Sequence, residues 1–207
     1  MSYTATSTAT TPVSLTNHAY FNLSAGADDT VSSPTLQLAC DAFSPDDGSG
    51  DGLPTGSFVA VHGTARDLRD SGISLAQITN AQARLSPLWP HGEEFVVTSN
   101  RGLDCNAVAA ACQQQGTLPP LAAKLLHPPS GRCMHLYTSE PALQTYYSTL
   151  LCDTGHIMKN GGSYGAHAGV CLEAQRHANA EAARAPSRLL RKGEVYRQVT
   201  VLVFSVE

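Results

Sequence analysis

The sequence predicts an all-β fold, and three observations predict it. Short runs rich in apolar and β-branched residues recur along the chain, at 36–40, 58–61, 95–98, 133–137 and 195–204. Turn-forming clusters punctuate them, among them Leu53-Pro54-Thr55-Gly56 and Pro128-Pro129-Ser130-Gly131. The polar balance is Ser, Thr, Gly, Asn and Gln, with 14% charged residues against 42% hydrophobic. That hydrophobic content suffices for a sizeable core, and short strands with Gly and Pro between them indicate a sandwich.

Each element has a local reason. Residues 4–11 are threonine-rich and run into Val13-Ser14-Leu15, a strand-prone stretch. Leu36-Gln37-Leu38-Ala39-Cys40 alternates apolar and polar, the period of a half-buried strand. Residues 195–204 are the longest β-branched run and suit a packed sheet. Residues 46–52, Asp-Asp-Gly-Ser-Gly-Asp-Gly, read as a flexible loop. Residues 107–115 have a helix-forming composition that a buried strand would also accept, and periodicity does not decide between them. Residues 178–184 suit one or two helical turns. With 207 residues, no internal repeat and no clear boundary, residues 1–207 read as a single domain.

Composition excludes several functions. The formal net charge is -4 and no Lys/Arg cluster occurs, so nucleic acid is not an expected partner. No apolar run is long enough to span a bilayer, so no membrane partner is expected. The first residues have neither the basic nor the apolar region of a secretory signal. The six cysteines form no C-x-x-C pair, which argues against a zinc ribbon; they read as reduced thiols of a cytoplasmic protein. His62, His91, His127, His135, His156, His167 and His177 show no ligand spacing, and no metal site is expected. Phosphate- and dinucleotide-binding motifs are missing, and no cofactor is expected.

Two segments carry the candidate chemistry. Residues 170–175, Val-Cys-Leu-Glu-Ala-Gln, read as a strand with Cys171, Glu173 and Gln175 on one face. Val170, Leu172 and Ala174 take the other, because side chains alternate along a strand. Partial burial would raise the Glu173 pKa into the range of a general base; the plainer alternative is a carboxylate paired with Arg176 or a backbone donor. His18 lies in Thr16-Asn17-His18-Ala19-Tyr20-Phe21-Asn22-Leu23, as a site residue or as a packed or capping histidine. Tyr20 and Phe21 suit a sugar face or the core. Asp104, in Gly102-Leu103-Asp104-Cys105-Asn106, suits a ligand hydroxyl or an Asx turn. Gln144 offers both amide donor and acceptor.

Together these segments resemble the galactose mutarotase (aldose 1-epimerase) family. The resemblance rests on residues 11–23, then 53–56, 61–69, 102–106, 129–132, 137–144, 171–175 and 190–196, in the family's order. Asn-His-x-Tyr-Phe-Asn-Leu and Cys-Leu-Glu-x-Gln are its most specific parts. It implies a galactose mutarotase-like β-supersandwich and a cofactor-free interconversion of hexose anomers. By position, His18 resembles the general acid and Glu173 the general base. Asp104 and Gln144 match positions that hold sugar hydroxyls, and Asn17, Ala19 and Tyr20 belong to the sugar-contacting wall around His18.

Departures accompany the likeness. The family's chains are longer at the N-terminus, so an N-terminally truncated sandwich is expected, lacking several strands, a sugar-binding Asn-Arg pair and a further histidine. Cys105 stands where the family usually has histidine, and Arg176-His177-Ala178-Asn179-Ala180 replaces its usual continuation. Uncovered sheet edges would make the chain a monomer or a weak oligomer. A binding module without turnover is the expected alternative. A phosphosugar epimerase is a narrower rival, and the spread of Arg66, Arg69, Arg101 and Arg132 gives no reason to prefer it.

Overall fold

A computed structural model describes residues 1–47, 52–70, 73–78, 92–151, 161–178 and 189–207. All but the first residue of the expected helical turns at 178–184, and most of the loop at 46–52, lie outside the described residues. Among the described residues no helix is long and apolar enough to cross a membrane.

Among the described residues, two six-stranded antiparallel sheets make up the architecture. In chain order the strands are β1 (Ser2–Thr6), β2 (Thr11–Pro12), β3 (Tyr20–Phe21), β4 (Thr35–Leu38), β5 (Cys40–Ser44), β6 (Val59–Ala60) and β7 (Ile73–Ser74). They continue as β8 (Glu93–Val97), β9 (Leu121–His127), β10 (Arg132–Thr138), β11 (Ala142–Tyr146), β12 (Val170–Gln175), β13 (Leu189–Leu190) and β14 (Val195–Val206). The first sheet runs β1-β14-β10-β9-β4-β7 and the second β3-β12-β11-β8-β5-β6, with a small β13-β2 pair beside them. This is the all-β sandwich the sequence predicts.

The core lies where alternating apolar side chains of the two sheets meet. Leu36, Leu38, Leu125, Met134 and Leu136 come from the first sheet; Phe43, Phe95, Leu143, Val170, Leu172 and Ala174 come from the second. The run 36–40 divides at Ala39, where the chain leaves one sheet for the other. There the Ala39 N–H donates to the Ala122 carbonyl at 2.8 Å, and the Ala39 carbonyl accepts from the Thr98 N–H at 3.1 Å. The threonine-rich stretch is likewise shorter than expected, pairing with β14 over Ser2–Thr6 and breaking before the two-residue β2.

Residues 105–115 form the helix α1 (Cys105–Gln115) rather than a buried strand. Its ends explain it. The Asp104 carboxylate accepts from the Asn106 and Ala107 N–H groups, a side-chain N-cap. Gly116 closes the other end with φ +65°, a left-handed conformation that glycine adopts at little cost. Three of the helix residues, Cys105, Ala109 and Cys112, are buried. The five described cysteines are free thiols.

Candidate active site

Strand β12 builds the site. Its Val170, Leu172 and Ala174 enter the core, so Cys171, Glu173 and Gln175 project from the opposite face of the sheet. Gln198 of β14 braces the strand, donating from Nε2 to the Ala174 carbonyl at 2.9 Å. Antiparallel register then lines up a polar row. Glu173 stands opposite Gln144 of β11, and Gln144 stands opposite Glu94 of β8. One step along, Cys171 stands between Tyr20 of β3 and Tyr146 of β11. Directly opposed residues share a face, so these side chains converge.

His18 closes the group. Its Nε2 lies 3.3 Å from Glu173 Oε1, with the histidine side chain 52% exposed and the glutamate 8%. The loop before β3 is folded to present it. Asn17 Oδ1 accepts from the Ala19 N–H at 3.2 Å, an Asx turn with His18 at its centre. Ser14 Oγ donates to the Arg176 carbonyl at 3.2 Å and ties the loop to the end of β12. The Asn22 amide donates to the Ala168 carbonyl at 3.2 Å, holding the end of the loop at the start of β12. The His18 ring stacks on Tyr20 with centroids 5.2 Å apart, and Tyr146 meets both rings edge-on at 6.3 Å.

Gly169 permits this approach. A Cβ at that position would come within 2.9 Å of the Tyr20 Cβ. Gly92 does the same for β8, where a Cβ would meet the Thr145 carbonyl oxygen and φ is +87°.

The electrostatics suit proton transfer. Burial raises the Glu173 pKa above the usual carboxylate value, and the His18 ring partly offsets the rise. Burial also raises the Tyr20 hydroxyl, with Cys171 and Tyr146 adding to it. It pushes the Cys171 thiol up to about 12, helped by the Glu173 charge. One donor atom each from His18, Cys171 and Glu173 lie within 4.8 Å of one another.

The structure therefore brings together His18, Tyr20, Gln144 and Glu173 of the residues expected at the site. Asn17 and Ala19 shape the loop through their mutual hydrogen bond. Asp104 lies elsewhere: it caps α1 and lines a separate hollow with Asn106, Arg176, Arg191 and Glu194. Arg176 is not the partner of Glu173. Its Nε sits 3.0 Å from Glu140 Oε2, and an NH2 donates to Asn106 Oδ1 at 3.1 Å. The four arginines weighed for a phosphate are engaged away from the His18 pair. Arg66 pairs with Glu93, Arg69 with Asp67 and Arg101 with Asp41, while Arg132 donates to the Leu23 carbonyl.

Sequence reasoning missed a second histidine–glutamate contact. Glu94, beside Gln144 in the row, accepts from His177 Nδ1 at 2.9 Å and from the Ala178 N–H at 2.8 Å. Both side chains are buried, with Phe58 packed on the imidazole at 4.8 Å. The available signal was slight: Glu93 and Glu94 lead into the apolar run Phe95-Val96-Val97, whereas Glu173 lies inside its own run.

Comparison with known proteins gives this geometry its family. The aldose 1-epimerase family model matches residues 1–203. The galactose mutarotase of Sus scrofa is 34% identical over 207 residues, and that of Homo sapiens 33%. Both alignments take in 100% of this chain and 54% of the relative, so the chain spans about half the length of these relatives. The aldose 1-epimerase of Escherichia coli K12 is 27% identical over 211 residues. Among solved structures, the GalM/aldose epimerase homologue from C. elegans superposes with a TM-score of 0.74 at 26% identity, covering 99% of this chain and 55% of that one. The galactose 1-epimerase from Lactobacillus acidophilus shares the fold, with a TM-score of 0.64 at 22% identity and coverage of 99% and 52%. The sandwich is thus galactose mutarotase-like, and the chain belongs to the aldose 1-epimerase family.

Proposed function

We propose that this chain interconverts the α and β anomers of a hexose such as galactose or glucose by acid–base ring opening and reclosure. The observation that carries the reading is the contact of His18 with Glu173 at 3.3 Å, on a face lined by two tyrosines and an amide. The reaction needs one proton delivered to the ring oxygen and one removed from the anomeric hydroxyl. Those two oxygens share one carbon, so the acid and the base must be neighbours. Protonated His18 gives its proton to the ring oxygen as Glu173 takes the hydroxyl proton. The bond between C1 and the ring oxygen breaks and the C1 carbonyl forms. After rotation about C1–C2, the same transfers run backwards and return each residue to its starting state. Positioned proton transfers of this kind contribute about 10²–10⁴-fold.

The surrounding residues support the same chemistry. A carboxyl with a raised pKa is a stronger base than an exposed one, and burial provides that rise at Glu173. Tyr20 and Tyr146 present aromatic surface for the C–H face of a pyranose. Gln144, opposite Glu173, presents an amide suited to a sugar hydroxyl. The net reaction is an isomerisation, with no change of oxidation state.

A second reading is sugar binding without turnover. It is favoured by Asp104, whose carboxylate serves a helix cap. Polarimetry on freshly dissolved α-D-galactose decides between them, run beside Glu173→Gln and with galactose binding followed by calorimetry. Faster loss of rotation that disappears in Glu173→Gln supports catalysis. Heat of binding with rotation decaying at the buffer rate supports the second reading.

A further inference from the structure

We propose that His18, Cys171 and Glu173 form a binding site for a thiophilic divalent cation, zinc by its ligand chemistry, and that its occupancy shuts the site down. The three residues supply one imidazole nitrogen, one sulfur and one carboxylate oxygen, all within 4.8 Å of one another. Zinc takes this donor set, whereas magnesium and calcium select oxygen. Cys171 and Glu173 are fixed on one face of β12, two residues apart. His18 is half-exposed on the loop between β2 and β3. Zinc bonds of about 2.0–2.3 Å place tetrahedral ligands about 3.3–3.6 Å apart; His18 Nε2 and Glu173 Oε1 already stand at 3.3 Å, so the remaining contraction is toward the Cys171 sulfur. Three protein ligands leave the fourth position to water on the open side.

Charge favours the same occupant. A dication held by one thiolate, one carboxylate and one neutral imidazole is neutral overall. Binding forms the metal–sulfur bond and releases the thiol proton to solvent. Cys171 has no exposed surface, and the Tyr20 hydroxyl and Glu173 are its polar neighbours.

A second cluster shows what such a site must avoid. Cys133, His135 and Glu207 are as close together, but the Lys124 ammonium sits 2.7 Å from Glu207 Oε2 and opposes a cation there.

The test uses cobalt(II) as a spectroscopic probe, with zinc as competitor. The intact chain is expected to show a near-ultraviolet thiolate-to-cobalt charge-transfer band and the strong visible bands of tetrahedral cobalt. Zinc should remove both. Cys171→Ser should abolish the charge-transfer band. His18→Ala, at a half-exposed position, should weaken zinc binding by about 10-fold or more, at least the loss seen for the partners behind a metal ligand. Cys133→Ser should change nothing. A band that is missing, or that follows Cys133 instead of Cys171, overturns the proposal. The cobalt readout needs no turnover, so it decides metal binding even for an inactive chain. Inhibition by zinc, reversed by a chelator, rests in addition on the reading of His18 and Glu173 as the proton-transfer pair.

Discussion

Glu173 and His18 carry the proposed reaction for different physical reasons, and substitution should separate them. Glu173 is buried in a strand and held by its register with Gln144; His18 is half-exposed and held by an Asx turn. Glu173→Gln preserves shape and is expected to remove about 10²–10⁴-fold of the rate while leaving the thermal midpoint near that of the parent chain. His18→Ala should lower the rate similarly, and a polarimetric rate equal to the parent's for either variant would sink the assignment. Gly169→Ala tests the packing behind the site. Its Cβ would crowd Tyr20, so β3 must move away from β12. The expected result is a slower rate and a change in tyrosine near-ultraviolet dichroism, with unchanged values showing that the approach is not needed. At this scale the sequence is most legible where period decides. Alternation in residues 170–175 is enough by itself to assign Glu173 and Cys171 to one face. The contact of Glu94 with His177 is not legible, because 83 residues separate the partners and only the fold joins them.

Helix α1 shows how a local motif can take a residue away from a site. Asp104 holds two N–H groups of the first turn, and its hollow is shared with Arg176, Arg191 and Glu194. Asp104→Ala is expected to lower stability by about 1 kcal/mol, the ordinary worth of a side-chain N-cap. Asp104→Asn keeps the cap and should alter neither the denaturation midpoint nor the KM for galactose. A raised KM in the asparagine variant, with stability intact, would return Asp104 to the sugar. The same competition explains where the sequence misleads at the level of elements. Residues 107–115 carry alanines and glutamines acceptable to either structure, and the cap at Asp104 with glycine at 116 selects the helix. Alternation through 36–40 continues across the sheet switch at Ala39, so pattern alone does not reveal that one run serves two sheets. The boundaries of β14 are nearly legible because its β-branched residues persist through both of its pairings, with β1 over Val195–Val199 and with β10 over residues 200–206.

For the whole molecule, buried carboxyls set how stability responds to pH. Burial pushes the Glu140 pKa up to about 7 and the Glu93 pKa up to about 8, in each case outweighing the arginine beside it. In the unfolded chain both groups return to about 4.5. Between those values the folded protein holds more protons than the unfolded one, so stability falls as pH rises through this window. The exposed pairs act oppositely and at lower pH. Arg69 holds the Asp67 carboxyl below its usual value and Lys124 does so for Glu207, so their contribution is lost as acid protonates them. Maximum stability is therefore expected near pH 5, with thermal midpoints declining toward about pH 8. Glu140→Gln removes one titrating group and should flatten the decline between about pH 5 and pH 7, the window set by its two pKa values. The absolute midpoint of that variant carries a separate cost, since Arg176 loses its carboxyl partner at 3.0 Å, so the slope is the quantity to compare. Midpoints that stay level from pH 5 to 8 would mean that both carboxyls are folded in charged form, with the arginines, not burial, governing their ionisation. None of this is readable from composition. Glu93 and Glu140 look like ordinary surface charges in the sequence, and they become expensive anions only because the two sheets and the loops between them remove their water.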